Sequence, residues 1–406
     1  MLNHKAKRIT KVSQGKFLIV QCARTIGPGH GVSSPALCLE RAFKQLGYEC
    51  ERFTLRNIGI RDATPDAGSR GIRTFRFWWN IVVFSTLGAF VIWWRYRWYR
   101  RDDVILLCHV DALIGDLFII RSLHKSFIIQ NPLRWLLLIR NPLHLFVLAR
   151  DAIRYRLGVH KRFIALSQSL AEEATLLYGT DPDQIRVIPN GVDLERFQPS
   201  DRARLEVRTE LKWDNEVFVL IFVANEFKRK GLDIVLDALY RLFMDGIDCR
   251  LIVAGSDSTE PFRTELDRLG DAVYLLGHRF DIERYYAASD LLVLPTAFDI
   301  SPLVGYEALA CGLPLLMTRV GGIPCFLHEG KNGMFIRRSP ADVAKKIRHL
   351  IENKETLNQM ADQARISVKD ADWSMIARKY LTVMQEVLAE RREEKHRIAN
   401  FDIGSY

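Results

Sequence analysis

Runs of strand-forming residues alternate with helical patterns along this chain, and they do so in two series. The first reads KFLIVQCA, SSPALCLERAFKQLGY, ECERFTL and DDVILLCHV. The second, after about Phe197, reads VFVLIFVA, LDIVLDALYRLFM, CRLIVAG, AVYLLG, ASDLLVLP and GLPLLMT. Gly, Asp, Asn or Pro bounds each run of the second series. The rhythm predicts an α/β protein of two doubly wound parallel sheets, and 406 residues suffice for two cores of ordinary size. Two such domains leave one cleft. The division expected is a first domain over 1–195, a second over 196–374, and a last segment, 375–406, that crosses back onto the first domain. In that segment MIARKYLTVMQEVLAERREEKH predicts a helix from Met375 to His396, and IANFDIGSY a loose tail.

The chain carries 58 Lys and Arg against 48 Asp and Glu, a formal charge of +10. That excess points to an anionic partner: nucleic acid, anionic lipid or a phosphorylated substrate. No known nucleic-acid module occurs, so nucleic acid is set aside. The seven cysteines have no paired spacing, so neither zinc nor a disulfide framework is indicated, and a reducing compartment is expected. The basic start, MLNHKAKRITKVSQG, holds no apolar core of signal-peptide length; a cytoplasmic protein is expected.

From Phe77 to Trp94 the sequence FWWNIVVFSTLGAFVIWW has no charge, and as a helix it would span about 27 Å, borderline for a bilayer. Strand runs lie on both sides of it. If they share a sheet, one crossing would separate them, so the segment is expected either to lie in one leaflet or to pack inside the fold. Tryptophans 78, 79, 93, 94 and 98 mark its ends. No acid occurs between Asp66 and Asp102, while Arg70, Arg73, Arg76, Arg95, Arg97, Arg100 and Arg101 flank it. From Leu117 to Ala171 the only acid is Asp151. Apolar surface beside dense arginine suits anionic headgroups, which predicts peripheral, monotopic attachment to the inner face of the cell membrane.

Three clusters fall where strands should end. In TIGPGHGVSS, Gly27, Gly29 and Gly31 separate a strand from a helix, as in loops whose amides approach a phosphate, although a plain tight turn serves as well. In VANEFKRKGLD, Arg229 and Lys230 precede a helix whose dipole opposes them, and a bound diphosphate would explain their place. In FDISPLVGYEALACGLP, Asp299 lies in a loop and Glu307 just inside a helix. There a carboxylate can accept two sugar hydroxyls and the dipole holds it ionised, or it can serve simply as a capping or turn acid.

The order of motifs resembles that of the retaining glycosyltransferases of family 4, which have the GT-B fold. The residues that carry the likeness are IRVIPNGVDLERF (185–197), RKGLD (229–233), the run from Ala288 to Pro324, and HEGKNGMFI (328–336). The first half is similar only in rhythm and glycine loop. The resemblance implies a sugar transferred with retention from a UDP-sugar or GDP-sugar, with no other cofactor and no metal. Glu307 would bind the ribose and Arg229 and Lys230 the diphosphate. Asp299, Ser301, Pro302 and Leu303 would hold the transferred sugar, with Asn190, Gly29 and Gly31 among the substrate-binding positions. The usual first acid of the pair is Glu, here Asp299; Ile300, Ser301 and Pro302 replace a common Pro-Phe-Gly; and Asn225 stands where a basic residue is common. A first-domain His after a strand FII corresponds to Gln130, with His109 as the nearby alternative. The acceptor expected is a membrane-associated lipid-linked glycan, glycolipid or polysaccharide precursor. The rivals are a soluble transferase with a small acceptor and a non-catalytic sugar-nucleotide-binding scaffold.

Overall fold

The computed structural model describes residues 16–27, 33–60, 70–97, 103–130, 132–214 and 216–403. The chain forms two compact units, one of residues 1–188 with 376–406 and one of 189–375. Asn190 and the residues up to 195, expected at the end of the first domain, belong to the second unit.

The first unit holds a parallel sheet of β1 (Leu18–Cys22), β2 (Cys50–Phe53), β3 (Val104–His109), β4 (Leu117–Ile120), β5 (Arg162–Ala165) and β6 (Ile185–Val187), in the order β2-β1-β3-β4-β5-β6. Every residue of β1, β3 and β4 is buried, which is why their sequences are near-continuous apolar runs. The Phe127–Ile129 stretch, read as a strand before Gln130, belongs instead to a helix, His124–Gln130. The strand is β4, whose Phe118-Ile119-Ile120 has the same three letters nine residues earlier, and a short apolar run does not tell strand from helix.

The second unit has β7 (Phe218–Val223), β8 (Cys249–Ala254), β9 (Val273–Gly277), β10 (Leu291–Leu294), β11 (Leu315–Thr318) and β12 (Gly333–Ile336), also parallel, in the order β12-β11-β10-β7-β8-β9. The chain builds outward from β7 to β9, then returns to the other side of β7 and builds outward again. The strand order therefore reverses between β7 and β10, and sheets of this kind take ligands in the crevice at the carboxyl ends of such a pair. Arg208 fixes the other end of this strand pair. It is 1% exposed and donates to the Asp290 carboxylate (2.8 Å) and the Ala288 carbonyl (3.0 Å), while Asp290 accepts the Val219 amide (2.7 Å).

The last helix runs from Trp373 to Ile403, longer than expected at both ends; Ile398 to Ile403, read as part of a loose tail, is helical. From Ile376 it belongs to the first unit. There Tyr380, Met384, Val387 and Leu388 are buried, and Arg391 pairs with Asp116.

The uncharged segment is a helix in three parts: α-helical over Arg70–Val83, a π-helical turn over Phe84–Gly88, and α-helical again over Ala89–Arg97. By length and composition Thr74–Tyr96 could cross a membrane. However, Ile81, Phe84, Ser85, Ala89, Ile92 and Tyr96 form a buried stripe at helical spacing, and the Ser85 hydroxyl donates to the Asp111 carbonyl (2.9 Å). The other side exposes Phe75, Phe77, Trp79, Leu87, Phe90, Trp93 and Trp94. Neither expected alternative holds alone: one face packs inside the fold and the opposite face is bare apolar surface.

Candidate functional site

The second unit brings three of the expected residues to its switch point. After β7 the chain makes a four-residue helix, Phe227–Lys230, ended by Gly231 at φ +87°. A Cβ on Gly231 would stand 2.6 Å from the Pro295 carbonyl oxygen, so only glycine lets the two loops approach. Arg229 and Lys230 thus occupy the last turn of one short helix as well as preceding the long one, and the dipole opposes them less than the sequence implied. After β10 the loop carries Asp299, and its carboxylate pairs with the Lys230 ammonium across the point where the strand order reverses. Gly321 holds this loop from beneath: a Cβ there would fall 1.8 Å from the Asp299 carbonyl oxygen.

Arg229 donates to both oxygens of Glu226 (2.6 and 3.2 Å) and to the Phe298 carbonyl, and the Arg229 guanidinium lowers the Glu226 pKa. Its own carbonyl accepts the Ala297 amide (3.0 Å) and the Arg338 guanidinium (2.9 Å). Asn225, where a cation is common, accepts the amide and hydroxyl of Ser256 (3.2 and 3.0 Å) and so ties the β7 loop to the β8 loop.

Pro302 caps the Leu303–Ala310 helix with no side-chain hydrogen bond; the Gly305 amide donates to the Pro302 carbonyl (3.2 Å), and the Leu303 and Val304 amides have no side-chain cap. Ser301 is held through its carbonyl by the Asn190 amide (2.9 Å). Asn190 is itself 5% exposed, so it positions this loop rather than offering a surface to a substrate.

Glu307 lies on the same helix, partly accessible, with Oε2 accepting the Tyr286 hydroxyl at 3.1 Å. Desolvation lifts its pKa to about 7; the Tyr286 hydrogen bond and the nearby Arg196 oppose that rise without cancelling it. The dipole therefore does not keep this carboxyl fully ionised, as the sequence implied. A group poised near neutrality beside a crevice is characteristic of a binding or catalytic site.

In the first unit His109 is fully buried at the end of β3, its Nε2 2.9 Å from the Gln21 side-chain oxygen, and burial lowers its pKa to about 3. It is a neutral structural histidine and offers no substrate surface. Gly29, Gly31 and the Gln130 side chain lie outside the described residues. Sequence reasoning missed Tyr286, Glu226, Gly321 and Arg338. An aromatic in YYAASD reads as core, and its partner is 21 residues away. The paired glycines of RVGGIP were the one available signal for Gly321.

Two family profiles match: the glycosyltransferase family 4 profile over residues 30–196 and the group 1 glycosyl transferase profile over 217–353. The chain belongs to family 4 of the group 1 glycosyltransferases. It is 30% identical over 243 residues to D-inositol 3-phosphate glycosyltransferase 1 of Catenulispora acidiphila, a match covering 56% of this chain and 57% of that one. The chain spans about half the length of the curated relatives it matches. Its fold is that of WaaG, a glycosyltransferase involved in lipopolysaccharide biosynthesis, with TM-score 0.72, 18% identity, and coverage of 90% of this chain and 99% of that one. It is similar also to Anabaena HepE, solved with UDP and glucose, with TM-score 0.63, 19% identity, and coverage of 91% and 100%. This family 4 member is thus a GT-B protein, with two parallel six-stranded units.

Proposed function

We propose that the protein transfers a sugar, with retention at the anomeric carbon, from a nucleotide diphosphate sugar to a membrane-associated acceptor. The observation that carries this reading is the Lys230–Asp299 pair at the switch point, next to a helix N-terminus with no side-chain cap and a half-buried glutamate. The chemistry follows from those parts. Glu307, ionised, accepts two ribose hydroxyls while Tyr286 fixes one of its oxygens. Arg229 and Lys230 turn from their carboxylate partners to the diphosphate and stabilise the charge that grows on it as the glycosidic bond breaks. Asp299, released from Lys230, and the amides at Leu303 hold the sugar. With the diphosphate leaving on the face that the acceptor enters, it can take the acceptor's proton, and no protein nucleophile is required. The two cations do the neutralising work that a divalent metal does elsewhere. The UDP-bound HepE supports a uridine donor.

The test is release of nucleoside diphosphate across a panel of UDP- and GDP-sugars, with lipid extract present and with or without a chelator. Release from one donor that survives chelation and falls strongly in Glu307→Ala is expected. No release from any donor, with donor binding intact, would move the reading to a scaffold; loss of turnover in chelator would remove metal independence.

The acceptor and membrane part rests on the bare face of the long apolar helix and on Leu133, Trp135, Leu136 and Ile139, all exposed. Apolar surface of this extent marks an interaction site in a monomeric protein, and the local excess of arginine selects anionic headgroups on the cytoplasmic leaflet. Co-sedimentation should show binding to vesicles containing anionic lipid that weakens with salt, and Phe90→Glu with Trp94→Glu should cut it about tenfold or more. Equal binding by the double variant would dismiss this face as the attachment surface.

A further inference from the structure

The first unit contains a cavity of about 300 Å³ at the carboxyl ends of β3 and β4. Around it, Arg150 donates to Asp111 (3.0 Å) and Asp151 (3.0 Å), Arg154 to Asp151 (2.7 Å) and to the Val110 and Ala112 carbonyls, and Arg24 lies 3.5 Å from Asp111. Three guanidiniums thus share two carboxylates. A fourth, Arg121, follows β4 and lines the cavity, and it has no acid partner among the described residues. Its Nε is buried with no hydrogen bond, and its electrostatic neighbours are the neutral His109 and Tyr380.

A desolvated guanidinium with no counter-ion is costly unless an anion occupies the space in front of it. The remaining wall suits one: the exposed Ser122 hydroxyl is at hand, and His124 and His144 stand with Nε2 and Nδ1 3.0 Å apart. The cavity lies at the carboxyl ends of neighbouring parallel strands, the side of such a sheet on which ligands bind.

We propose that this cavity is an oxyanion site in which Arg121 receives a phosphate group of the acceptor, with Ser122, His124 and His144 completing its wall. Phe77 and Trp78 of the long apolar helix border it on one side, and the helix that starts at His124 exposes Phe127 on the other. A phosphate joined to an apolar chain fits such a frame, and a small phosphorylated acceptor shares the same chemistry. That the phosphate belongs to the acceptor rests on the transfer reading; that the cavity binds phosphate does not.

Inorganic phosphate titrated calorimetrically into the full chain carrying Arg229→Ala and Lys230→Ala, which removes the other cation pair, isolates the cavity. Saturable binding is expected, weakened about tenfold or more by Arg121→Gln. Ser122→Asp, a rim substitution that leaves buried contacts in place, should weaken it likewise and covers the case in which Arg121→Gln fails to fold. No saturable binding, or equal binding in the folded variants, would overturn the proposal. Vesicles with and without phosphatidic acid separate the sources. If Arg121→Gln also loses phosphatidic acid vesicles, the ligand is a lipid phosphate; if it loses only inorganic phosphate, the ligand is a small phosphorylated molecule; the site stands in both cases. Donor hydrolysis by the chain with native Arg229 and Lys230 is measured alongside. Its absence with phosphate binding intact would sink the transfer reading alone, and its presence without phosphate binding would sink this site alone.

Discussion

Lys230→Ala is expected to lower kcat/KM for donor consumption about a thousandfold, the upper end of what removing one charge-stabilising group from a transition state costs. Two losses combine. The leaving diphosphate loses a cation, and the Asp299 carboxylate, only 14% exposed, loses its counter-ion and turns its charge on the incoming phosphates. The combination predicts strong coupling: Asp299→Asn added to Lys230→Ala should recover part of the donor affinity, while Asp299→Asn alone should lower turnover through the lost sugar contact. Steady-state kinetics and donor titrations on the four chains of this cycle decide it. Purely additive effects would mean that the pair is a static brace and that the diphosphate binds elsewhere.

Glu307→Gln should weaken donor binding about tenfold to a hundredfold and flatten its dependence on pH. In the native chain the carboxyl titrates at about 7, so donor affinity should rise with pH up to that region and level off above it as the acceptor of ribose hydroxyls becomes fully ionised. Stability should run the opposite way. A carboxyl raised from 4.5 in the unfolded chain to about 7 in the folded one binds its proton more tightly when folded, so its contribution is intact below pH 4.5 and is lost as pH rises to 7. Glu307→Gln should therefore melt above the native protein at pH 8 and close to it at pH 4.5. A native melting temperature that does not fall relative to the variant across that window would show that the group is already ionised in the folded state, and the donor profile would have to be explained otherwise.

The fold was legible because its strands are buried on both faces. Residues such as Leu18–Cys22 and Leu291–Leu294 have nowhere to go but a covered parallel sheet, and Pro295 marks where the second ends. The cations and acids of the second unit were legible through their order along the chain. Their pairing was not, since Lys230 and Asp299 are 69 residues apart and meet only through the strand reversal. His109 misled because a histidine at a strand end looks alike in sequence whether it faces the crevice or the sheet interior. Glu307 misled because the helix dipole can be read from the sequence whereas the desolvation that outweighs it comes from packing. The long apolar helix displayed its composition openly but not its orientation, which rests on the buried stripe from Ile81 to Tyr96 and on the Ser85 hydroxyl with its carbonyl partner.

The π-helical turn at Phe84–Gly88 decides where the tryptophans of that helix point. Such a turn arises from one residue more than an α-helical turn contains, so everything downstream is rotated by about 100° relative to an uninterrupted helix. Closing the turn with the sequence unchanged would swing Ile92 and Tyr96 out of the core and carry Trp93 toward it, whereas deleting one residue at the turn would let it close and leave Ile92 and Tyr96 where they are. A lineage could thus lose one codon at this turn in a single step and keep the bearing of the whole aromatic edge, whereas the same deletion elsewhere in the helix would turn that edge by about 100°.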